Sequence, residues 1–416
     1  MRYVTKIDLD LPGDAQPQVH NRWHPEVPAT ETITPGETVK IECMDWTGNQ
    51  IKNDDYADDI LHVDLTRIHY LSGPFHIEGA QPGDALLVEI KDVQPLERQP
   101  WGYGGVFHVD NGGGFLDRFY PEAAKTIWDF EGVQATSRHL PHVKFSGLVH
   151  PGIMGTAPSA SVLNEWNSRE SSLKERIQAH HHTAVAQLPN PKGAHGGHAK
   201  GDVATKIASE GARTIPGRPE NGGNCDIKNL GRGSKCYFPV YVPGANFSIG
   251  DLHFSQGDGE ISFCGAIEMA GVVTCSFSVI KDGTKELSLK SPMFIAGDVP
   301  TQYGPARYLT FEGFSVDEKG HQEFMCATTA YRQACIRAIE YLRRYGYSDY
   351  QIYMLLSCAP IEGHIAGIVD VPNACTTLSL PMDIFDFDIR RVEAKSVVAS
   401  DCAYVKGASH KVIYEF

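Results

Sequence analysis

The chain alternates between short apolar runs and residues that favour turns. Runs rich in β-branched and aromatic residues occupy 38–43, 85–90, 235–242 and 272–280. The chain contains 41 Gly and 25 Pro, so turn signals recur between these runs. Many short strands separated by regular turns are typical of sandwiches and barrels. The pattern therefore predicts an α+β protein that is mainly β, with sandwich-like or barrel-like units and a few helices.

Helical periodicity is clearest in three segments. The stretch 161–187 is polar and rich in Glu, Arg, Gln and His. Apolar residues recur every three or four positions in 328–345, which predicts an amphipathic helix, and Gly346 follows as a C-cap. A shorter helix is expected at 348–357. The segment 189–219 is rich in Gly and Pro, which predicts a long surface loop or an arm onto a neighbouring subunit.

We expect these elements to form four units along the chain. They are an N-terminal β-rich unit over 1–160, a helical and loop excursion over 161–220, a central β unit over 221–327, and a C-terminal helical and β segment over 328–416. A chain of 416 residues is long enough to bury a large hydrophobic core.

Composition excludes several classes of protein. A hydrophobic content of 42% with 21% charged residues indicates a globular chain. The net charge of −14 argues against a nucleic-acid partner, because phosphate binding needs clustered Lys and Arg. No apolar window approaches the ~20 residues of a membrane span, and the charged N-terminus does not resemble a signal peptide. Ten cysteines without a C-x-x-C pair indicate reduced thiols. We therefore expect a cytoplasmic protein with no nucleic-acid or membrane partner.

The densest candidate chemistry lies in 221–268, a Gly-rich stretch. Ordinary strands do not collect acids in this way, because buried charge is costly unless it is paired or bound to a cation. Oxygen and imidazole groups on a backbone that glycines allow to turn sharply suit a hydrolytic metal site or an acid–base site. The stretch contains one histidine and five carboxylates, namely His253, Asp226, Asp251, Asp258, Glu260 and Glu268.

Two pairs of these residues have the spacing of neighbours on one face of a strand. Asp251 and His253 are two residues apart, and so are Asp258 and Glu260. A turn at 255–257 would place the two pairs opposite each other in a hairpin. The alternative is that Asp-Gly forms a common turn and the acids are solvated. The grouping with the other acids favours a functional site.

The carboxylate of Glu260 is the candidate general base. The residues after it alternate between a small, polar face and an apolar face, which predicts a half-buried strand. Glu268 lies ~26 Å further along an unbroken strand, so it shares a cation with Glu260 only if the strand bends or bulges. We therefore give Glu268 a secondary role.

The Gly-rich bend at 221–229 offers groups that could hold a small ligand. Gly223 allows close backbone approach, and Asn224 could hydrogen-bond an amide. Lys228 could stabilise developing negative charge. Cys225 could act as a nucleophile, although no basic partner at fixed spacing supports its activation. The alternative is a structural turn.

Two histidines outside this region precede turns. His69 stands before Ser-Gly-Pro and His150 before Pro-Gly. Either could act as a ligand or a proton shuttle, or could be a half-buried histidine with a structural role. We favour the structural role for His150 and keep His69 as a candidate catalytic residue.

Several motifs together resemble the acetamidase/formamidase family, over nearly the whole chain. The resemblance implies a β-rich homo-oligomer that hydrolyses a small aliphatic amide, formamide first, to the carboxylate and ammonia. The late motifs resemble the fungal-type formamidases more than the acetamidases. The motifs are HYLSGP (69–74), EGAQPGD (78–84), HPGIMGTAPS (150–159), GGNCDIKN (222–229), GDLHFSQGDGE (250–260) and VDVPNACTTLSLP (369–381).

The predicted site combines catalytic, substrate-binding and cation-binding groups. We expect a water activated by a carboxylate, by a divalent metal such as Zn²⁺, or by both, with no organic cofactor. The alternative function is a non-enzymatic β-sandwich that binds a small ligand or Ca²⁺ through acidic loops. The predicted catalytic residues are Glu260, Lys228 and His69, the substrate-binding residues are Asn224, Gly223 and Glu268, and the metal ligands are Asp226, His253 and Asp258.

Overall fold

A computed structural model describes residues 1–176, 188–298, 307–390, 398 and 400–408. In chain order, its strands are β1 (Arg2–Thr5), β2 (Val19–His20), β3 (Arg22–Trp23), β4 (Glu31–Ile33), β5 (Thr38–Cys43), β6 (Leu71–Ile77), β7 (Ala85–Pro95), β8 (Trp101–Val106), β9 (Ala124–Glu131), β10 (Gln134–Ser137), β11 (Leu140–Ser146), β12 (His150–Gly155), β13 (Ala212–Arg213), β14 (Gly223–Asn224), β15 (Lys235–Pro239), β16 (Phe247–Gln256), β17 (Phe263–Met269), β18 (Gly271–Ile280), β19 (Met293–Ile295), β20 (Tyr308–Phe314), β21 (Glu362–Asp370), β22 (Asn373–Pro381) and β23 (Ala403–Tyr404). The α-helices are α1 (Asp58–His62), α2 (Ala160–Arg176), α3 (Gly201–Glu210), α4 (Gly283–Glu286), α5 (Ala327–Leu342) and α6 (Asp349–Cys358).

Two large sheets pack face to face. One has the strand order β1-β5-β18-β7-β15-β19, and the other contains the path β11-β10-β9-β8-β17-β16-β12-β14 with β2, β4, β6 and β23 attached. Phe247 of β16 contacts Phe238 of β15 and Phe277 of β18, with ring centroids 5.7 and 5.4 Å apart, so aromatic side chains join the two sheets. The prediction of a mainly β protein with a few helices is confirmed.

Both large sheets take strands from the first 160 residues and from 221–298. These two segments therefore share one hydrophobic core. The C-terminal segment adds a smaller sheet of order β20-β22-β21, on which α5 packs, while α6 packs on β8 and β17 of the larger sheet. In this way α6 supports the back of the strand that carries the candidate site.

The predicted helices are found with small changes at their ends. Helix α5 ends at Leu342 and continues as one 3-10 turn, after which Gly346 adopts the left-handed conformation of a C-cap. The predicted helix at 161–187 begins one residue earlier, at Ala160, and its part beyond Arg176 lies outside the described residues. None of the helices that the structure describes is long and apolar enough to cross a membrane.

The described part of 189–219 packs against the N-terminal region of the same chain. The buried guanidinium of Arg22 donates hydrogen bonds to the backbone oxygens of Asn190 and Lys192. Strand β13 pairs with β3. The segment includes helix α3, so its fixed contacts are those of a folded element rather than of an open surface loop.

Candidate active site

The centre of the site is His253, a fully buried residue on β16. It lies opposite Glu268 of β17 on one side and opposite His150 of β12 on the other. Directly opposed residues on neighbouring strands present their side chains on one face of the sheet. The carboxylate of Asp251, two residues earlier on β16, also approaches the His253 ring. We call Asp251, His253 and Glu268 the inner group.

Short distances connect the inner group. The nitrogen His253 Nε2 lies 3.1 Å from Glu268 Oε2 and 3.4 Å from Asp251 Oδ1. Burial alone would lower the pKa of His253, but the carboxylates of Glu268 and Asp251 outweigh this effect and hold that pKa well above its usual value. The inner group therefore holds a protonated imidazole between two carboxyl groups.

The two carboxyl groups of the inner group differ in acidity. Burial raises the pKa of Glu268 to about 7, although His253 acts against this. Burial would also raise the pKa of Asp251, but His253 and His69 hold it below its usual value. Asp251 is therefore the carboxylate that stays ionised beside the imidazolium, whereas Glu268 can exchange a proton near neutral pH.

Two further carboxyl groups, Asp226 and Glu260, join the inner group on a more exposed side, and we call them the outer pair. Both have left-handed backbones, with φ of +47° and +44°. Burial and the charge of Asp251 raise the pKa of Asp226 to about 7, and burial and the charge of Asp226 raise the pKa of Glu260 well above its ordinary value. The two side chains hydrogen-bond to each other. Close carboxyl groups resist ionising together, so the outer pair holds a shared proton.

A sharp bend of the chain brings Glu260 back to Glu268. Strand β16 continues to Gln256, and β17 begins only at Phe263. Glu260 and Phe263 both have positive φ, which folds the intervening turn back on itself. The predicted turn at 255–257 is therefore wrong, because two of its three residues belong to β16. His253 faces Glu268 directly on the neighbouring strand. Because the chain bends between Glu260 and Glu268 instead of continuing as one straight strand, both carboxyl groups can belong to one site.

Glycines make room for this crowding. A Cβ atom on Gly152 of β12 would lie 2.6 Å from Asp226 Oδ1, 2.7 Å from Asp251 Oδ2 and 2.9 Å from His253 Cε1. A Cβ atom on Gly265 would lie 2.5 Å from Glu260 Cγ. Side chains at these two positions would displace both the inner group and the outer pair.

The structure corrects the expected positions of Lys228 and Asp258. Lys228 Nζ lies 3.1 Å from Asp258 Oδ1 and 3.3 Å from Glu362 Oε1, and it also donates to the backbone oxygen of Ile361. Asp258 in turn accepts a hydrogen bond from the Gly363 amide. No described contact joins Lys228 or Asp258 to the inner group or the outer pair. Their contacts tie the turn after β16 to the C-terminal sheet, because a buried ammonium needs three acceptors and finds them there.

His69 lies beside the inner group, as expected. Its Nδ1 atom is 3.7 Å from Asp251 Oδ2, and its ring packs 4.7 Å from that of Trp46. Burial lowers the pKa of His69 to about 4, against the attraction of Asp251. A neutral His69 can therefore donate or accept a hydrogen bond at the edge of the site.

The Gly-rich bend also lies against β12. Gly223 and Asn224 form β14, which pairs with Met154 and Ile153. Asn224 Nδ2 donates to the Ile215 backbone oxygen, and its Oδ1 has no hydrogen-bond partner, so the amide oxygen remains available. Burial raises the pKa of the Cys225 thiol to about 11, which does not favour a nucleophilic thiolate.

Sequence reasoning missed Gly152 and Gln256, and it gave Asp251 no role of its own and His150 only a structural one. Gln256 Oε1 lies 2.9 Å from His253 Nδ1 and 3.0 Å from His150 Nε2. A signal for these residues was present in the motifs HPG and GDLHFSQ, which hold them next to the recognised groups. The signal could not be interpreted without knowing that β12 and β16 are neighbours.

The donor atoms of the site also fit a divalent cation. Ligand atoms of Asp226, Asp251 and His253 lie within 4.8 Å of one another, and so do those of His253, Glu260 and Glu268. Asp226 Oδ1 is a buried oxygen without a hydrogen-bond partner, and His253 Nε2 and Glu268 Oε2 approach each other to 3.1 Å without the alignment of a hydrogen bond. Carboxylate oxygens with an imidazole nitrogen are donors that Zn²⁺ and similar ions accept.

A buried group of acids around a histidine is typical of sites for acid–base or cation-assisted chemistry. Comparison with known proteins identifies the family. The model of the acetamidase/formamidase family matches residues 6–387. The chain therefore belongs to the acetamidase/formamidase family, and the prediction of an amidase is confirmed, whereas a non-enzymatic binding protein is not favoured.

Relatives with known names cover nearly the whole chain. A Schizosaccharomyces pombe protein named "Putative formamidase" is 63% identical, over 97% of this chain and 98% of its own length. A formamidase of Methylophilus methylotrophus is 51% identical, over 94% and 95%. The solved structure of a gamma lactamase from Delftia acidovorans is 49% identical, with a TM-score of 0.93, over 98% of this chain and 100% of its own.

Proposed function

We propose that this amidase hydrolyses formamide to formate and ammonia, and that it acts less well on longer aliphatic amides. The observation that carries the proposal is a set of carboxyl groups with widely different pKa values around His253, in a chain that is 63% and 51% identical to proteins named as formamidases. Formamide is small and neutral, so a net charge of −14 does not repel it.

The outer pair is suited to both proton transfers that amide hydrolysis needs. Asp226 and Glu260 share a proton, so one of them can accept a proton from water while the other donates one to the leaving amine. Their greater exposure supports direct contact with the substrate. The fully buried inner group would then hold His253 in its charged form behind them. Glu260 remains our proposed general base, and it acts in the state in which the shared proton lies on Asp226, which then serves as the acid.

The groups around the pair are suited to binding the amide. Asn224 Oδ1 and His69 Nδ1 are buried polar atoms without partners, so they are available to the amide nitrogen and the carbonyl oxygen. Gly223 adds backbone space beside Asn224. We no longer propose Lys228 as the group that polarises the carbonyl, because its ammonium already contacts Asp258, Glu362 and Ile361.

We propose a divalent cation such as Zn²⁺ as a further component. Asp226, Asp251 and His253 would hold it, or His253, Glu260 and Glu268. A cation there would withdraw electron density from a carbonyl and make nearby water more acidic. The unpartnered oxygen Asp226 Oδ1 supports this proposal, and a cation would take the place of the proton on His253 Nε2.

Ammonia release tests the activity and the cation together. We expect the purified protein to release ammonia from formamide faster than from acetamide. We expect a chelator to abolish turnover while the protein stays folded, and full turnover of the chelated protein would contradict the role of the cation. Ring opening of a γ-lactam is tested in parallel, because a solved structure named as a gamma lactamase is 49% identical to this chain. That reaction leaves the nitrogen in the product as an amine, so it is followed as formation of the amino acid and not as ammonia. A folded protein that releases no ammonia from any short amide would contradict the proposal.

We also propose that the protein is a cytoplasmic homo-oligomer. The family resemblance supports an assembly of several copies. Light scattering at micromolar concentration should give a mass that is a multiple of 45.7 kDa. A mass of one chain would contradict the proposal.

A further inference from the structure

Gln256 stands at an irregularity of the sheet beside His253. In a regular strand, residues three apart point to opposite faces. The register between β16 and β17 shifts between His253 and Gln256, and this shift brings the Gln256 side chain back to the face that carries the His253 ring. Bulges of this kind redirect side chains next to active sites.

The orientation of the Gln256 amide is fixed by its own contacts. Gln256 Nε2 donates to the backbone oxygen of Asp226, at 2.6 Å, and a carbonyl oxygen can only accept. The amide oxygen must therefore face the other way, where it lies 2.9 Å from His253 Nδ1. Because the amide oxygen also can only accept, His253 Nδ1 carries a hydrogen whether the ring is neutral or charged.

We infer that Gln256 is a positioning residue of the proposed amidase site. It reserves His253 Nε2, the nitrogen that faces Asp251 and Glu268, as the atom that gains or loses a proton or binds a cation. It also holds the left-handed backbone of Asp226, and with it one carboxyl of the outer pair. A single side chain thus connects the inner group to the outer pair, and the inference rests on the proposed function of both.

Gln256→Met tests this role, because methionine keeps the volume and removes both the donor and the acceptor. Partners of this kind typically contribute 10- to 100-fold to activity, so we expect kcat to fall by about that factor. We expect KM for formamide to change by less than about threefold, because the residue acts on the groups that perform the chemistry. An unchanged kcat in the folded variant would overturn the inference.

Gln351→Met is the matched control. Gln351 is also fully buried, and its amide donates to the backbone oxygens of His139 and Ser400 and accepts from the Ser348 amide. It lies in α6, away from the inner group and the outer pair. We expect this variant to lose stability but to keep its kcat per folded molecule. An equal loss of kcat in both variants would mean that Gln256 acts only through stability.

A second measurement observes the His253 ring in the unmodified protein, with Gln256 in place. The ring nitrogens of His253 can be observed by ¹⁵N NMR after histidine labelling and identified by their loss in His253→Asn. We expect the Nδ1 signal of a protonated nitrogen throughout the stable pH range, and a bare Nδ1 would overturn the inference. A protonated Nδ1 in a protein without amidase activity would instead contradict the proposed function alone, whereas an active enzyme with a bare Nδ1 would contradict only the role of Gln256.

Discussion

Two buried charged regions of this chain differ in how completely their polar atoms are satisfied. The ammonium of Lys125 on β9 has no solvent exposure and contacts three acceptors, the backbone oxygen of Lys52 at 3.0 Å, Asp54 Oδ1 at 2.9 Å and Asp59 Oδ2 at 2.8 Å. An ammonium has three hydrogens, so every one is used. At the site around His253, by contrast, Asp226 Oδ1 has no hydrogen-bond partner, and His253 Nε2 contacts Glu268 Oε2 at 3.1 Å without the alignment of a hydrogen bond.

The difference distinguishes a buried charge with a structural role from one that is available for chemistry. A buried charge whose donors are all used stabilises one conformation and has no capacity left for a ligand. A cluster that keeps unpaired atoms in the interior costs folding free energy, and such clusters persist where substrate, water or a cation completes them. Burial and charge alone do not distinguish the two regions, because both contain buried charged side chains.

The sharpest test replaces one carboxyl of the outer pair. Glu260→Gln keeps the size of the side chain and removes the base, so turnover of formamide should fall by about 10²- to 10⁴-fold with little change in the free energy of unfolding. Steady-state ammonia release and chemical denaturation measure the two quantities.

Asp258→Asn is the matched control, since Asp258 lies only two residues away but pairs with Lys228. Its turnover should stay within a few-fold of the unmodified enzyme. Equal losses in the two variants would erase the distinction between the outer pair and the neighbouring salt bridge.

The structural region should show the reverse behaviour. Lys125→Met leaves Asp59 without its cation, so the free energy of unfolding should fall by about 3 kcal/mol, the lower end of the range for buried pairs. The loss is limited because the side chain of Asp54 is 49% exposed and can be hydrated. Turnover per folded molecule should not change, and a variant that is stable but inactive would show that Lys125 belongs to the chemistry.

The smallest expected effect is a pH dependence of stability. The pKa of Glu268 is raised to about 7 in the folded chain, so between its ordinary pKa and 7 the folded state holds a proton that the unfolded state has lost. Stability from this group is therefore present at acid pH and is lost as pH rises through 7. Glu268→Gln removes the ionisation, so in chelator-treated protein the variant should gain about 2 to 3 kcal/mol over the unmodified chain between pH 5 and pH 8. Parallel stability curves would contradict this.

The sequence alone predicted the main secondary-structure elements and many residues of the cluster around His253. Runs of β-branched and aromatic residues between turn signals predicted β5 and β18, and the 3.6-residue period of apolar positions predicted α5. The i, i+2 spacing brought Asp251 and His253 together correctly, since that spacing is a property of any strand.

The remaining errors concern features that depend on contacts between distant parts of the chain. Non-glycine residues with positive φ are uncommon, so the left-handed backbones of Glu260 and Phe263 could not be predicted, and the turn was placed too early. The role of Lys228 failed because Ile361, its backbone partner, lies 133 residues further along the chain. Local spacing carries no information about such a partner.

Gly152 gives the site a property that an inventory of reactive groups would overlook. The acids and the imidazole meet across β12 only because this position carries a hydrogen atom where every other amino acid carries carbon. Gly152 contributes empty space to the site and no reactive group. In any related chain that retains the same acids and histidine but has a larger residue here, at least three neighbouring side chains must have moved, so the glycine of the HPG motif is a stricter marker of this arrangement than any one of its carboxylates.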